Sequence, residues 1–212
     1  MLDGSNDRVE FPAAVTADLL GDASRSVCLW AEIYSFDWGA LFSYGTNSNG
    51  RDFCLRTTYV SGEFRVQLYG VAYDFDVTIP EASSGWHHYC LTYDGDNVAF
   101  YFDGSVETTS SVSLETSKEY SASLGMSIYS GSYLSGALDE VYFYASALDS
   151  NDVYVLYSSV TTAPTVTPAP SSHYFEGSLL AYYGFDMGAV TDSFGEHAGT
   201  AYSNGNETTL ET

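Results

Sequence analysis

Apolar and polar positions along this chain alternate with a period of two far more than with the three-to-four spacing of a helix. The run Ser26–Ile33 reads as a strand, as do Ala40–Tyr44 and Phe53–Tyr59. Between Glu63 and Tyr69, Phe64, Val66 and Leu68 fall on one face, as in a half-buried strand. The strongest local signal spans His87–Phe102, where two strand-like runs flank Asp94-Gly95-Asp96-Asn97, the chemistry of a hairpin turn. A second turn follows at Asp103-Gly104, and a further strand covers Ala137–Ala145. The polar stretch Asp149-Ser150-Asn151-Asp152 then precedes Val153–Tyr157, which predicts a short, N-capped helix closing the domain. No apolar stretch reaches the roughly 18 residues needed to span a bilayer.

The pattern changes after residue 157. Residues 158–173 are rich in Pro, Thr and Ser; proline fixes φ and removes a donor, so this segment is expected to be an extended linker. The same composition marks O-glycosylated stalks, which makes Thr161, Thr162, Thr165 and Thr167 candidate attachment sites, although an unmodified tether fits equally. Beyond it, Leu179–Asp186 reads as one more strand and Thr191–Gly195 as a turn; residues 174–212 are too few to bury a core alone. Asn206-Glu207-Thr208 is an N-glycosylation sequon and points to secretion. The N-terminus lacks the basic and apolar regions of a secretory signal, so the expectation is that a signal has been removed or that the numbering starts inside a larger protein.

Charge narrows the function. Six basic residues stand against 28 acidic ones, a net charge of −22, which argues against nucleic acid, whose phosphates need Lys and Arg, and against docking on anionic lipid. The 19 Tyr residues suit strands and also offer flat, hydrogen-bonding surfaces to sugars or protein partners. Cys28 and Cys90 lie in alternating apolar runs and Cys54 is the odd one; no Cys or His spacing suggests zinc, and spacing alone leaves the pairing open.

Several ordered motifs carry a resemblance. Leu2-Asp-Gly-Ser-Asn-Asp-Arg-Val-Glu-Phe-Pro12, Gly85-Trp-His-His88 with Tyr101-Phe-Asp-Gly104, and Gly136-Ala-Leu-Asp-Glu-Val-Tyr-Phe-Tyr144 with Ala147-Leu148 resemble laminin-G-like and pentraxin-like domains of the concanavalin A-like class over residues 1–157. The resemblance implies an all-β, two-sheet antiparallel jelly-roll sandwich with one short C-terminal helix. Ser26-Val-Cys-Leu29 and His88-Tyr-Cys-Leu91 look like the positions of the pentraxin disulfide, implying a Cys28–Cys90 bond and an oxidising compartment. Asp52 matches the first pentraxin calcium ligand, but Phe53 stands where the second belongs and Gly125–Gly131 carries no carboxylate, so that calcium site is expected to be absent. A structural calcium elsewhere in such folds would fall, by position, on Asp139, Asp186 and Asp192. Residues 179–202 look like the family's first strand and loop, which precede the Leu2-Asp3-Gly4 motif in a complete module. The chain is therefore read as starting inside one repeat and ending inside the next, with the tail strand packing either on its own domain or on a neighbouring copy.

Catalytic signals are missing. Asp139 and Glu140 are adjacent, so on a regular strand they point to opposite faces and cannot flank a glycosidic bond; His87 and His88 alternate likewise. No nucleophile elbow, phosphate loop or His-Glu-x-x-His occurs. The leading expectation is a non-enzymatic extracellular or cell-surface repeat, structural or adhesive, whose partners are neighbouring copies. The alternative is a lectin-like, carbohydrate-binding module, calcium-dependent in one version, with Trp38, Tyr44, Tyr73 and Tyr129 in loop-like or strand-end segments as candidate sugar contacts, although packing is the commoner role for each.

Overall fold

Alternation along each strand divides the protein into two antiparallel sheets with a shared apolar interior. A computed structural model describes residues 1–117, 120–128, 131–159, 178–184, 191–192, 200–203 and 206–208. The strands are β1 (Leu2–Asp3), β2 (Arg8–Glu10), β3 (Arg25–Ser35), β4 (Ala40–Gly45), β5 (Asp52–Thr57), β6 (Glu63–Gln67), β7 (Phe75–Thr78), β8 (Trp86–Tyr93), β9 (Asn97–Phe102), β10 (Ser105–Ser111), β11 (Tyr120–Leu124) and β12 (Ser135–Tyr144). Helix α1 (Ser150–Ser159) follows, and then β13 (Leu179–Gly184), β14 (Thr191–Asp192), β15 (Thr200–Ser203) and β16 (Asn206–Thr208).

One sheet runs β10-β9-β8-β3-β12-β13-β14, with β1 also on β12; the other runs β16-β15-β2-β11-β4-β5-β6-β7. In β3, Val27, Leu29, Ala31 and Ile33 face the interior, where they meet Phe64, Val66 and Leu68 of the opposite sheet within one buried cluster. The intervening Cys28 belongs to a second buried cluster on the outer face, together with Cys90, Tyr101, Tyr142, Tyr144 and Tyr182. Helix α1 covers that face with Val153 and Leu156. Its start is a reciprocal cap. Asp149 accepts hydrogen bonds from the Asn151 and Asp152 amides, and Asp152 accepts one from the Asp149 amide.

The 94–97 turn forms as its sequence predicts, with the Asp94 carboxylate accepting bonds from the Asp96 and Asn97 amides at 2.8 and 2.6 Å. Cys28 sits opposite Cys90 across β3 and β8, and the two are joined by a disulfide. Cys54 is free and buried on β5. On β12 a bulge between Asp139 and Tyr142 breaks the regular alternation assumed for Asp139 and Glu140. Glu140 adopts φ +50° there, Leu138 faces the interior before it, and Val141 and Phe143 face it after.

The edge of β12 away from β3 is shared by two short partners. β1 pairs at Ser135–Gly136 and β13 pairs from Val141 to Tyr144. The tail strand therefore packs on its own domain, placing Ala181 and Tyr183 in the interior and Tyr182 on the helix-covered face. β15 continues the second sheet beyond β2, with the Arg8 guanidinium 3.9 Å from the Tyr202 ring centroid. The linker threonines Thr161, Thr162, Thr165 and Thr167, together with Tyr129 and Asp186, lie outside the described residues.

Candidate functional site

At one end of the sandwich four chain segments converge on a cleft of about 450 Å³. Its floor is a polar row across three neighbouring strands: Ser35 on β3 sits opposite Ser135 on β12, which sits opposite Asp3 on β1. One wall is the β3–β4 loop, carrying Asp37 and Trp38, beside Tyr59 from the β5–β6 hairpin; Ser132 and Tyr133 come from the β11–β12 connection, and Gly4 and Ser5 from the segment after β1.

The sequence builds this cleft through close backbone contacts. A Cβ at Gly39 would lie 2.5 Å from the Leu134 Cα, so only glycine lets the Trp38 loop rest on the β11–β12 connection. Gly4, at φ +79°, donates its amide to the Leu134 carbonyl at 3.1 Å and draws the Asp3 loop to the same point. Trp38 itself has φ +61°, a conformation bulky residues rarely hold unless the surroundings impose it. Here the Arg56 guanidinium donates to the Trp38 carbonyl at 2.6 Å, and the Thr57 amide donates to the Gly39 carbonyl. The Arg56 and Arg65 guanidiniums both lie within 5.0 Å of the Trp38 ring centroid. Arg65 is locked by a bidentate pair with Asp76, the main reason its guanidinium binds its proton even more tightly than usual. Arg56 is buried and also donates to Gln67 at 2.9 Å.

Tyr59 stands at 90° to Trp38 with centroids 5.0 Å apart and is 71% exposed. Its hairpin is pinned below the tip by Thr58, which donates to the Glu63 carboxylate at 2.6 Å and accepts from the Val60 amide. Asp3 caps its own loop by accepting from the Ser5 amide at 2.8 Å. The result is a half-buried indole and an exposed phenol meeting at a corner, above a floor of two serine hydroxyls and the Asp3 carboxylate. Aromatic faces with a few fixed polar groups are the usual makeup of a small-molecule site.

Of the aromatic residues singled out in the sequence, Trp38 alone among the described ones lines this cleft. Tyr44 is a correction: it is 1% exposed and packs 5.5 Å from Phe53, so no ring face is open to a ligand, and burial pushes its hydroxyl well above the usual tyrosine range. Tyr73 is half-buried against Gly50 and Gly70. Gly50 follows the Gly45 end of β4, whereas Trp38 precedes its Ala40 end, so Tyr73 belongs to the opposite rim. Asp3, Asp37, Tyr59 and Tyr133 were not singled out; they are scattered along the chain and only the strand order brings them together. Asp3 lies in the Leu2-Asp3-Gly4 motif, which served as a fold marker only.

Of the carboxylates considered for calcium, Asp139 and the backbone of Asp192 fall among the described residues. Asp139 is buried and accepts from the Glu140 amide at 2.8 Å; Asp192 lies on β14, opposite Tyr183 of β13. Among the described residues no group of three or more His, Cys, Asp or Glu side chains is placed to hold a metal ion. Asn206 opens β16. His87 and His88 have structural surroundings. His87 pairs with Asp103 at 2.8 Å across the hairpin, and His88 is buried between Trp30 and Tyr157.

Comparison with known proteins agrees with this architecture. Residues 3–154 match the family model described as the concanavalin A-like lectin/glucanases superfamily. The chain belongs to that superfamily. No curated protein matches it. Among solved structures, a "putative carbohydrate binding protein" from Bacteroides ovatus is 20% identical with a TM-score of 0.67, over 100% of this chain and 60% of the other. Domain 4 of AbnA, a GH43 extracellular arabinanase from Geobacillus stearothermophilus, in complex with arabinotriose, is 20% identical with a TM-score of 0.52 over 66% of this chain and 69% of that one. The Ruminococcus gnavus IT-sialidase CBM40 bound to α2,3-sialyllactose is 15% identical with a TM-score of 0.53 over 74% of this chain and 96% of that one. At these identities the likeness concerns the fold.

Proposed function

We propose that this superfamily member is a non-enzymatic, extracellular carbohydrate-binding module, and that the cleft around Trp38 and Tyr59 is its sugar site. The observation that carries the reading is the perpendicular Trp38–Tyr59 pair, open to solvent, above the Asp3–Ser135–Ser35 floor. A pyranose or furanose presents an apolar C–H face, which stacks on an aromatic ring, and hydroxyls at its edge, which donate to carboxylates and exchange hydrogen bonds with serines. The solved structures named above add support, since two are described as carrying glycans.

A structural or adhesive role through strand addition has less behind it. β13 pairs with β12 of the same chain, so that edge of the sandwich needs no neighbour. Extracellular placement rests on the Cys28–Cys90 disulfide, which persists in oxidising compartments.

Tyr59→Ala on a broad glycan array is the test. Tyr59 is mostly exposed, so its truncation leaves the fold intact, and we expect binding to fall at least about tenfold, in line with the loss of one aromatic anchor. Unchanged glycan affinity in this variant would place the site elsewhere.

A further inference from the structure

We infer that the cleft selects uncharged sugars and turns away glycans carrying sialic acid, uronic acid or sulfate. This rests on the reading of the cleft as a sugar site and adds the class of sugar it takes.

Among the described residues, the charged ones lining the cleft are Asp3 and Asp37, both exposed carboxylates. No basic residue among the described ones lines it, in a chain with only six Lys and Arg. Nearby cations are committed: Arg65 to Asp76 in a bidentate pair, and buried Arg56 to Gln67 and the Trp38 carbonyl. Both lie against the Trp38 ring without lining the cleft. Recognition of a carboxylate or sulfate normally uses an Arg fork, a Lys or converging backbone amides. An anionic group in this cleft would instead face two carboxylates and the field of a chain whose net charge is −22. An uncharged sugar meets no such penalty, and its vicinal hydroxyls supply the donors that Asp3 and Asp37 lack.

The experiment uses the full chain on an array of matched glycans, plant and animal, each printed with and without a sialyl, glucuronyl or sulfate group; lactose with 3′-sialyllactose is one such pair. We expect the bound glycans to be uncharged. Adding the acidic group near the docked sugar should weaken binding about tenfold or more at low salt, with the gap narrowing as salt screens it. Asp37→Asn and Asp3→Asn, which keep side-chain shape, should narrow the gap at low salt as well. Equal or tighter binding of the acidic partners, still lost in Tyr59→Ala, would overturn the selectivity while leaving the sugar site standing. No binding to any glycan at millimolar concentration would remove both.

Discussion

Glu140 turns its carboxylate into the outer face of the first sheet and accepts the hydroxyls of Tyr142 and Tyr182, each at 2.7 Å. Burial first, and then the Glu140 charge, hold the Tyr142 hydroxyl far above the ordinary tyrosine value. Tyr182 comes from β13, so this pair of bonds ties the tail strand to the strand before the helix. Tyr182→Phe should cost about 1.5–3 kcal/mol in denaturant unfolding, the range for a buried hydrogen bond to a charged group. His88 makes a second residue-level prediction. Burial lowers its pKa to about 3, against 6.5 for a free imidazole. Between those values the unfolded chain binds a proton that the folded one refuses. Stability therefore falls as pH drops through this window, by up to about 1.4 kcal/mol per pH unit from this residue. Replacing His88 with Leu should flatten the stability profile between pH 6 and pH 4 relative to wild type; an unchanged slope would mean that the imidazole charges in the folded state.

Among the elements, β13 carries the most weight for its length. Tyr183 is fully buried, 4.5 Å from the Phe11 ring centroid and 6.4 Å from that of Phe143. Tyr183→Ala should destabilise the whole sandwich by about 3–5 kcal/mol, the scale of an aromatic truncation in a core. A loss under 1 kcal/mol would show that the tail is dispensable. β13 was legible because Leu179–Gly184 is strongly apolar and Gly184 punctuates it, and β6 because Phe64, Val66 and Leu68 alternate cleanly. β10 was not legible: Ser105–Ser111 is an edge strand with mainly polar residues, and hydrogen bonding to β9 fixes it where hydrophobic pattern offers nothing. The bulge at Asp139–Glu140 also escaped the sequence, since period-two reasoning assumes an unbroken ladder.

At the scale of the whole molecule the strand order makes the site. It sets Ser35, Ser135 and Asp3 side by side and brings the 36–39, 59–62 and 131–134 connections to the same end, a juxtaposition that no local spacing encodes. Trp38 was legible as an aromatic in a loop-like segment between two strands; its companions were not, because they lie on separate elements joined only by the fold. A sugar bound in the cleft is expected to meet the Trp38 ring directly. The three tryptophans, Trp30, Trp38 and Trp86, give separate indole N–H signals in a proton–nitrogen NMR spectrum. Trp30 is 6% exposed and stacked 5.8 Å from Tyr157 beneath the helix, away from the cleft. Titration with an array-selected glycan should shift the Trp38 indole signal and leave Trp30 and Trp86 in place. A glycan that binds while the Trp38 signal stays fixed would contradict the account.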